Sequence, residues 1–386
     1  MVGVCIKYFH ENYGGMLQAY ATISMLEERN IQYELIQYKK KYSIIGMLKS
    51  VPRLFNGVLL NDKYEAFLKN KGKKKHLDFA ENDNVRKQAF EVFRTRHFTQ
   101  LSPVFTGYNE LKSGAQRYSA VITGSDQLWS PAGLPTNYYN LMFVPDNIKK
   151  ISYASSFGVK NIPWYQKNRT AKFLNRIEYI SMRENRGSEI VKELTGKSVP
   201  TILDPVFMFD KLGWENLVSE NREIEDSYIF AYFLGNNTEY RKVVKAVAQK
   251  FGCKIVTLRH LDQYVEADED FGDIAPYDVG PDRFLNFIRN AKYVCTDSFH
   301  GACFSIIHKK QFVVFNRYGE NSKYSKNSRI DTLCNNLGLQ NRRYEKENDL
   351  GTQLEQKIHY EEVETKLANL KEKTNVYLNE AFKYLE

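Results

Sequence analysis

The sequence predicts an α/β protein of two domains, each built on a mainly parallel sheet. Three observations carry this. At 386 residues the chain is long for a single core, so two domains are expected. Short β-branched and aromatic runs alternate with stretches whose apolar residues recur at helical spacing, the order that builds parallel sheets. Loops edged by glycine join a strand to a helix twice, at Gly14-Gly15 and at His300-Gly301.

In chain order, residues 2–8 read as the first strand, 10–15 as its loop, 16–26 as an apolar-striped helix and 33–38 as the second strand. From about 42 to 114 the alternation breaks, with short apolar pieces at 44–48 and 58–60 and a helix near 85–97. This segment is predicted to be an insertion that caps the cleft or binds an acceptor. Strands return at 120–123, 150–154 and 179–182, and Pro200-Thr-Ile-Leu-Asp-Pro-Val206 reads as the crossing into the second domain. There, strands at 228–233, 254–258, 293–296 and 311–315 alternate with helices at 239–251, at 282–290 and from Gly301 onward. A charged helix at about 361–385 is expected to pack back across the domains. The expected division is 1–199, 200–350 and a C-terminal helix in 351–386.

Composition narrows the function classes. A hydrophobic fraction of 42% with 26% charged residues is that of a soluble globular protein, and no apolar run is long enough to span a bilayer. The N-terminus enters a strand with no leader pattern, so a cytoplasmic location is expected. Five scattered cysteines (Cys5, Cys253, Cys295, Cys303, Cys334), without a Cys-x-x-Cys pair, read as reduced core residues. The acidic triplet Asp268-Glu-Asp270 has no ligand spacing either, so no metal is expected. A net charge of +9 suits an anionic partner. The densest basic run, Lys69-Asn-Lys-Gly-Lys-Lys-Lys75 backed by Lys39-Lys-Lys41, comes without any nucleic-acid-binding signature, so nucleic acid is not expected. A peripheral contact with an anionic membrane would use such a run, at about 1 kcal/mol per Lys or Arg.

The strand–loop–helix unit at 293–307 places His300 and Gly301 at the mouth of a helix, where backbone N–H groups and the helix dipole favour an anion. Two readings stand there: chemistry on a phosphate or carboxylate, or a core turn whose histidine bonds a carbonyl. Gly14-Gly15 lets a backbone approach a ligand closely. The loop is no dinucleotide fingerprint, lacking a third glycine, and no P-loop, lacking Gly-Lys-Ser/Thr.

Five motifs then occur in order: Asn12-Tyr-Gly-Gly-Met-Leu-Gln-Ala-Tyr20, Thr123-Gly-Ser-Asp-Gln-Leu-Trp129, Ser152-Tyr-Ala-Ser-Ser-Phe-Gly158, Ser181-Met-Arg-Glu184 and Thr296-Asp-Ser-Phe-His-Gly301. With them the chain resembles the polysaccharide pyruvyl transferase family from the first strand to Asn316-Arg317. The resemblance implies two Rossmann-like domains facing a cleft, a GT-B-like layout. It implies transfer of the enolpyruvyl unit of phosphoenolpyruvate, a co-substrate, onto a lipid-linked or nucleotide-linked sugar acceptor, with phosphate released and no other cofactor. It points to His300 at the reacting centre and to Arg183 on the donor side. Position in the sequence adds Asp126 as a second catalytic candidate, Ser298, Gly301, Arg317 and Arg329 as donor-side candidates, and Asn12, Tyr13, Gly14, Gly15 and Trp129 as acceptor-side candidates.

Several alternatives stay open. Arg183 follows a strand end, where its planar fork suits a carboxylate or phosphate, or it forms an ion pair with Glu184 or Asp204. Asp126 serves as a base on the acceptor or as the N-cap of a short helix. Trp129, Tyr13 and Tyr153 stack on a sugar or fill core. Some relatives carry an arginine two residues before the histidine; Ser298 stands there in this chain, and Arg317, Arg329, Lys323 or Arg259 are candidates to replace it. A nucleotide-sugar glycosyltransferase or a non-catalytic relative would share the same layout.

Overall fold

Among the described residues, ten strands form two wholly parallel sheets in the computed structural model of the chain. The structure describes residues 1–41, 77–131, 136–219, 221–259, 264–318, 327–383 and 385, with positions 60, 63, 64, 66–68, 70, 71 and 75. Lys323, the apolar piece at 44–48 and most of the basic run at 69–75 lie outside the described residues.

The first sheet comprises β1 (Val2–Cys5), β2 (Tyr33–Lys39), β3 (Leu101–Thr106), β4 (Ala120–Thr123), β5 (Lys149–Ser155) and β6 (Tyr179–Met182), in the spatial order β3-β2-β1-β4-β5-β6. Every residue of the central strands β1 and β4 is buried. That explains their continuous apolar runs: a parallel strand covered by helices on both faces shows no alternation. The second sheet comprises β7 (Tyr228–Tyr232), β8 (Lys254–Thr257), β9 (Tyr293–Thr296) and β10 (Gln311–Val314), in the order β10-β9-β7-β8. In each sheet the chain starts in the interior and later reverses direction, creating a switch point where two strand ends diverge. The switch lies between β1 and β4 in the first sheet and between β7 and β9 in the second. Open α/β sheets bind ligands outside the carboxyl ends of the strands at such points.

One expectation is corrected. Residues 77–114, predicted within an insertion, supply the helix Leu77–His97, strand β3 and the helix Tyr108–Gly114. Strand β3 escapes the sequence pattern because Pro103 interrupts it, and proline is tolerated there on the edge of the sheet.

The two halves are tied at several places. Tyr13, on the first helix (Tyr13–Glu28), stacks on Phe284 of the second half with ring centroids 4.6 Å apart, and its hydroxyl donates to the Val279 carbonyl at 3.0 Å. From the helix Leu77–His97, Arg86 donates to the carbonyls of Arg259, Pro276 and Tyr277. After β6, Thr201 pairs with Met182 at the edge of the first sheet before the chain crosses over. The C-terminal helix Tyr360–Ala381 packs back as expected: its Tyr377 donates to the Ser152 carbonyl at 2.7 Å, and its Thr374 hydroxyl accepts from Leu203 N–H. Among the described residues no helix is long and apolar enough to cross a membrane.

Candidate active site

The two switch points meet at one cleft of about 560 Å³. Lys7 and Asn12 reach it from the loop after β1, Asp126 from the loop after β4, Asp297 and His300 from the end of β9, and Arg329 from the helix Ser328–Leu337.

On the first rim, β1 ends at Cys5 rather than running to residue 8, and this leaves Lys7 beyond the strand with its side chain at the cleft. Asp126 adopts a left-handed backbone, φ 63°, which aspartate tolerates better than most residues. Its carbonyl accepts from the N–H groups of Leu128 and Ser156, at 2.9 and 3.1 Å, so the loop is pinned. The carboxylate lies 3.6 Å from Lys7 Nζ and 3.6 Å from Arg183 Nη2. Burial opposes its charge, yet Lys7, Arg183, His300 and Arg329 together hold the carboxyl far below the usual carboxylate range.

Behind this rim, Arg183 Nη1 donates to Asp204 Oδ2 at 2.7 Å, and both side chains are 1% exposed. The Arg183 guanidinium also sits over the Phe299 ring, 4.6 Å from its centroid. Asp204 stands before Pro205 and caps the short helix Pro205–Met208 by accepting from Val206 N–H. It also accepts from the Ser125 hydroxyl at 3.0 Å and faces His300 Nε2 at 3.5 Å. Burial would raise its carboxyl, but His300 and Arg183 hold it well below the ordinary value.

On the second rim, Ser298 caps the helix Phe299–Ile307, its hydroxyl accepting from Gly301 N–H at 3.2 Å. His300 follows within the first turn, its ring pressed against Gly14. A Cβ at Gly14 would lie 2.1 Å from His300 Nδ1, so only glycine fits. Asp297 accepts from the N–H groups of Leu234 and Gly235, at 2.7 and 2.8 Å, and so ties the end of β9 to that of β7. Burial raises its carboxyl, with Arg317 and those two N–H groups pulling the other way. Arg329 lies 5.6 Å from the Phe299 ring centroid, so Arg183 and Arg329 both contact this ring. With its amide oxygen turned toward Arg329, Gln127 accepts from both terminal nitrogens, at 3.1 and 2.6 Å. Burial and the neighbouring Arg183 bring Arg329 down to about 10.

The structure therefore brings Asn12, Asp126, Ser298, His300, Arg317 and Arg329 to one cleft. Other expectations are corrected. Trp129 is fully buried, with its indole N–H donating to the Tyr139 carbonyl, so it offers no face to a sugar. Tyr13 is held in the core by Phe284, and Tyr153 is fully buried as well. Gly14 makes room for His300 rather than for a ligand. The N–H of Gly15 is taken by the Asn12 side chain at 2.8 Å and that of Gly301 by Ser298, so neither glycine offers it to an anion. Arg183 realises the ion pair with Asp204 and has no open face. Asp126 caps no helix; its carboxylate faces cations. Arg259 bonds to Tyr277 and the Glu269 carbonyl, outside the cleft lining.

Sequence reasoning missed Lys7, Asp297 and the role of Asp204 as a hub. Lys7 and Asp297 each follow an apolar strand, and Asp204 before proline carries the pattern of a helix cap, which are the signals that point to them. Among the described residues no group of three or more His, Cys, Asp or Glu side chains is placed to hold a metal ion.

Fold and site together define a two-domain α/β protein whose cleft between two switch points is lined by both basic and acidic side chains. The chain belongs to the polysaccharide pyruvyl transferase family, which it matches over residues 12–318. No curated protein sequence matches it. Among solved structures it is similar to a putative UDP-N-acetylglucosamine 2-epimerase from Listeria monocytogenes, with 11% identity, TM-score 0.48 and coverage of 98% of this chain and 90% of that one. It is similar to the Neisseria meningitidis UDP-GlcNAc 2-epimerase bound to UDP-GlcNAc, with 10% identity, TM-score 0.47 and coverage of 98% and 93%. The E. coli ADP-heptose LPS heptosyltransferase II gives 9% identity, TM-score 0.35 and coverage of 97% and 99%.

Proposed function

We propose that the chain transfers the enolpyruvyl unit of phosphoenolpyruvate to two hydroxyls of a sugar in a polysaccharide precursor, forming a pyruvyl ketal and releasing phosphate. One observation carries this within the family: Lys7, His300 and Arg329 line the same cleft as the Asp126 carboxylate. A donor bearing a phosphate and a carboxylate needs fixed cations, and the reaction also needs a proton acceptor for the sugar and a proton donor for the enol.

The roles follow from placement. Arg329 and Lys7 hold the donor anion, with Arg317 at the second rim. Arg183, without an open face, fixes Asp126 and Asp204. A sugar hydroxyl adds to C2 of the enol and gives its proton to Asp126, while protonated His300 gives a proton to C3, so the methylene becomes a methyl. Phosphate leaves C2, and the second hydroxyl closes the ketal and gives its proton to the departing phosphate. Exchange with solvent restores Asp126 and His300.

The test is to incubate the protein with phosphoenolpyruvate and lipid-linked or nucleotide-linked sugars, reading phosphate release together with product mass. Pyruvyl transfer adds a ketal and releases phosphate in step. A nucleotide-sugar glycosyltransferase would add a sugar residue from its own donor and leave phosphoenolpyruvate intact. A non-catalytic relative would do neither.

A further inference from the structure

Asp126 occupies a place in the cleft that its role as a base does not by itself explain. Its carboxylate lies 3.6 Å from both Lys7 Nζ and Arg183 Nη2. Basic groups from four separate elements act on it: Lys7 after β1, Arg183 after β6, His300 in the first turn of the helix Phe299–Ile307, and Arg329 in the first turn of the helix Ser328–Leu337. Two further buried carboxylates face these groups: Asp204, engaged by Arg183 and faced by His300, and Glu184, which acts on Arg183 and Arg329. Three of those basic groups, Lys7, His300 and Arg329, line the cleft in which a donor anion would sit. A carboxylate and an incoming anion cannot both be neutralised by the same few cations at full strength.

We propose that Asp126 is a built-in stand-in for the donor: it neutralises the donor's cations while the cleft is empty, and it becomes a competent base only after the donor has taken them over. This deepens the proposed function and rests on it. The physical argument is charge balance. Surrounded by cations, Asp126 binds protons too weakly to accept one from a sugar hydroxyl, because a useful base has a proton affinity near the working pH. A donor carrying a phosphate and a carboxylate adds negative charge within contact range of the same cations, and a like charge nearby raises the proton affinity of a carboxylate. The base is thus weakest without donor and strongest with it. An acceptor that enters first is not activated, which makes productive binding ordered, donor before acceptor.

A consequence separates this from a simple donor-contact or structural role. If Asp126 competes with the donor for cations, removing its charge tightens donor binding while transfer is lost. Isothermal titration of phosphoenolpyruvate, and separately of inorganic phosphate, into the wild type and Asp126→Asn reads this directly. Thermal melting serves as the fold control, and Asp126→Ser is a second variant should the amide misfold. The expected result is tighter phosphoenolpyruvate binding in Asp126→Asn by about tenfold or more, alongside loss of turnover. Unchanged or weaker donor binding in a folded variant overturns the inference while leaving the proposed function standing. Absence of phosphoenolpyruvate binding in both proteins, with phosphate binding tightened in Asp126→Asn, overturns the donor assignment and keeps Asp126 as a stand-in for a phosphate-bearing ligand.

Discussion

The two switch points of this molecule solve the same problem with different means. The rim of the first sheet is a charge network: Lys7, Asp126, Arg183 and, behind them, Asp204 hold one another through ion pairs. The rim of the second sheet is held by backbone hydrogen bonds: Asp297 clamps two N–H groups, Ser298 caps a helix, and His300 is set by that helix and by Gly14. The contrast teaches where each rim is vulnerable. A network of charges responds to ligand and pH, because every member's charge depends on its neighbours. A rim fixed by caps and close packing responds to shape.

His300→Ala should lower transfer by roughly a hundred- to ten-thousandfold, the range for loss of a proton-transfer group, with the fold retained. Gly14→Ala should mimic much of this loss without touching the imidazole chemically, since the new Cβ displaces the ring. It should also cost about 1–3 kcal/mol of stability through overpacking. Kinetics and denaturant titration of both variants check this; a Gly14→Ala protein with wild-type turnover would break the shape side of the comparison.

Asp204→Asn should break the charge side. Removing one partner of a buried ion pair costs about 3–5 kcal/mol. The pH dependence has a definite sign. The folded carboxyl of Asp204 is depressed below its unfolded value of about 3.9, so its contribution is fully present at neutral pH and is lost as pH falls below about 4. Melting curves of wild type and Asp204→Asn should therefore differ most at pH 6–7 and converge as pH drops below about 4. A difference that grows on acidification would contradict the assignment.

How much of this was legible in the sequence follows the same division. Every described strand but β3, the alternation into parallel sheets and the strand-end positions of Asp126, Arg183 and His300 were readable, because they depend on local periodicity and on the general rule for α/β sheets. The partners were not. Gly14 is glycine because of a histidine on the other sheet, and nothing near it in the sequence says so. Trp129 sits in a loop next to Asp126, yet Phe157 and Phe173 enclose it, and enclosure is a property of tertiary packing. Arg329, from a different helix, reaches the same Phe299 ring that Arg183 covers. Local pattern finds the rims; only the fold shows which rim residues face one another.

The smallest predicted effect concerns Trp129→Phe. As a core residue it should lower stability by about 1–3 kcal/mol and leave the Michaelis constant for the acceptor within about twofold. A selective loss of acceptor affinity would restore it to the sugar site.

The central claim is that the anion of the donor is held between the two rims by cations of this cleft. Calorimetric titration of phosphoenolpyruvate into the wild type, Arg329→Ala and Arg259→Ala tests it most directly, since Arg259 belongs to the same half but is engaged outside the cleft lining. Loss of a charged hydrogen-bonding partner is worth about 1.5–3 kcal/mol, so Arg329→Ala should bind roughly ten- to a hundredfold more weakly, while Arg259→Ala binds as the wild type does. Equal affinities for wild type and Arg329→Ala, or equal losses in the two variants, would contradict the account.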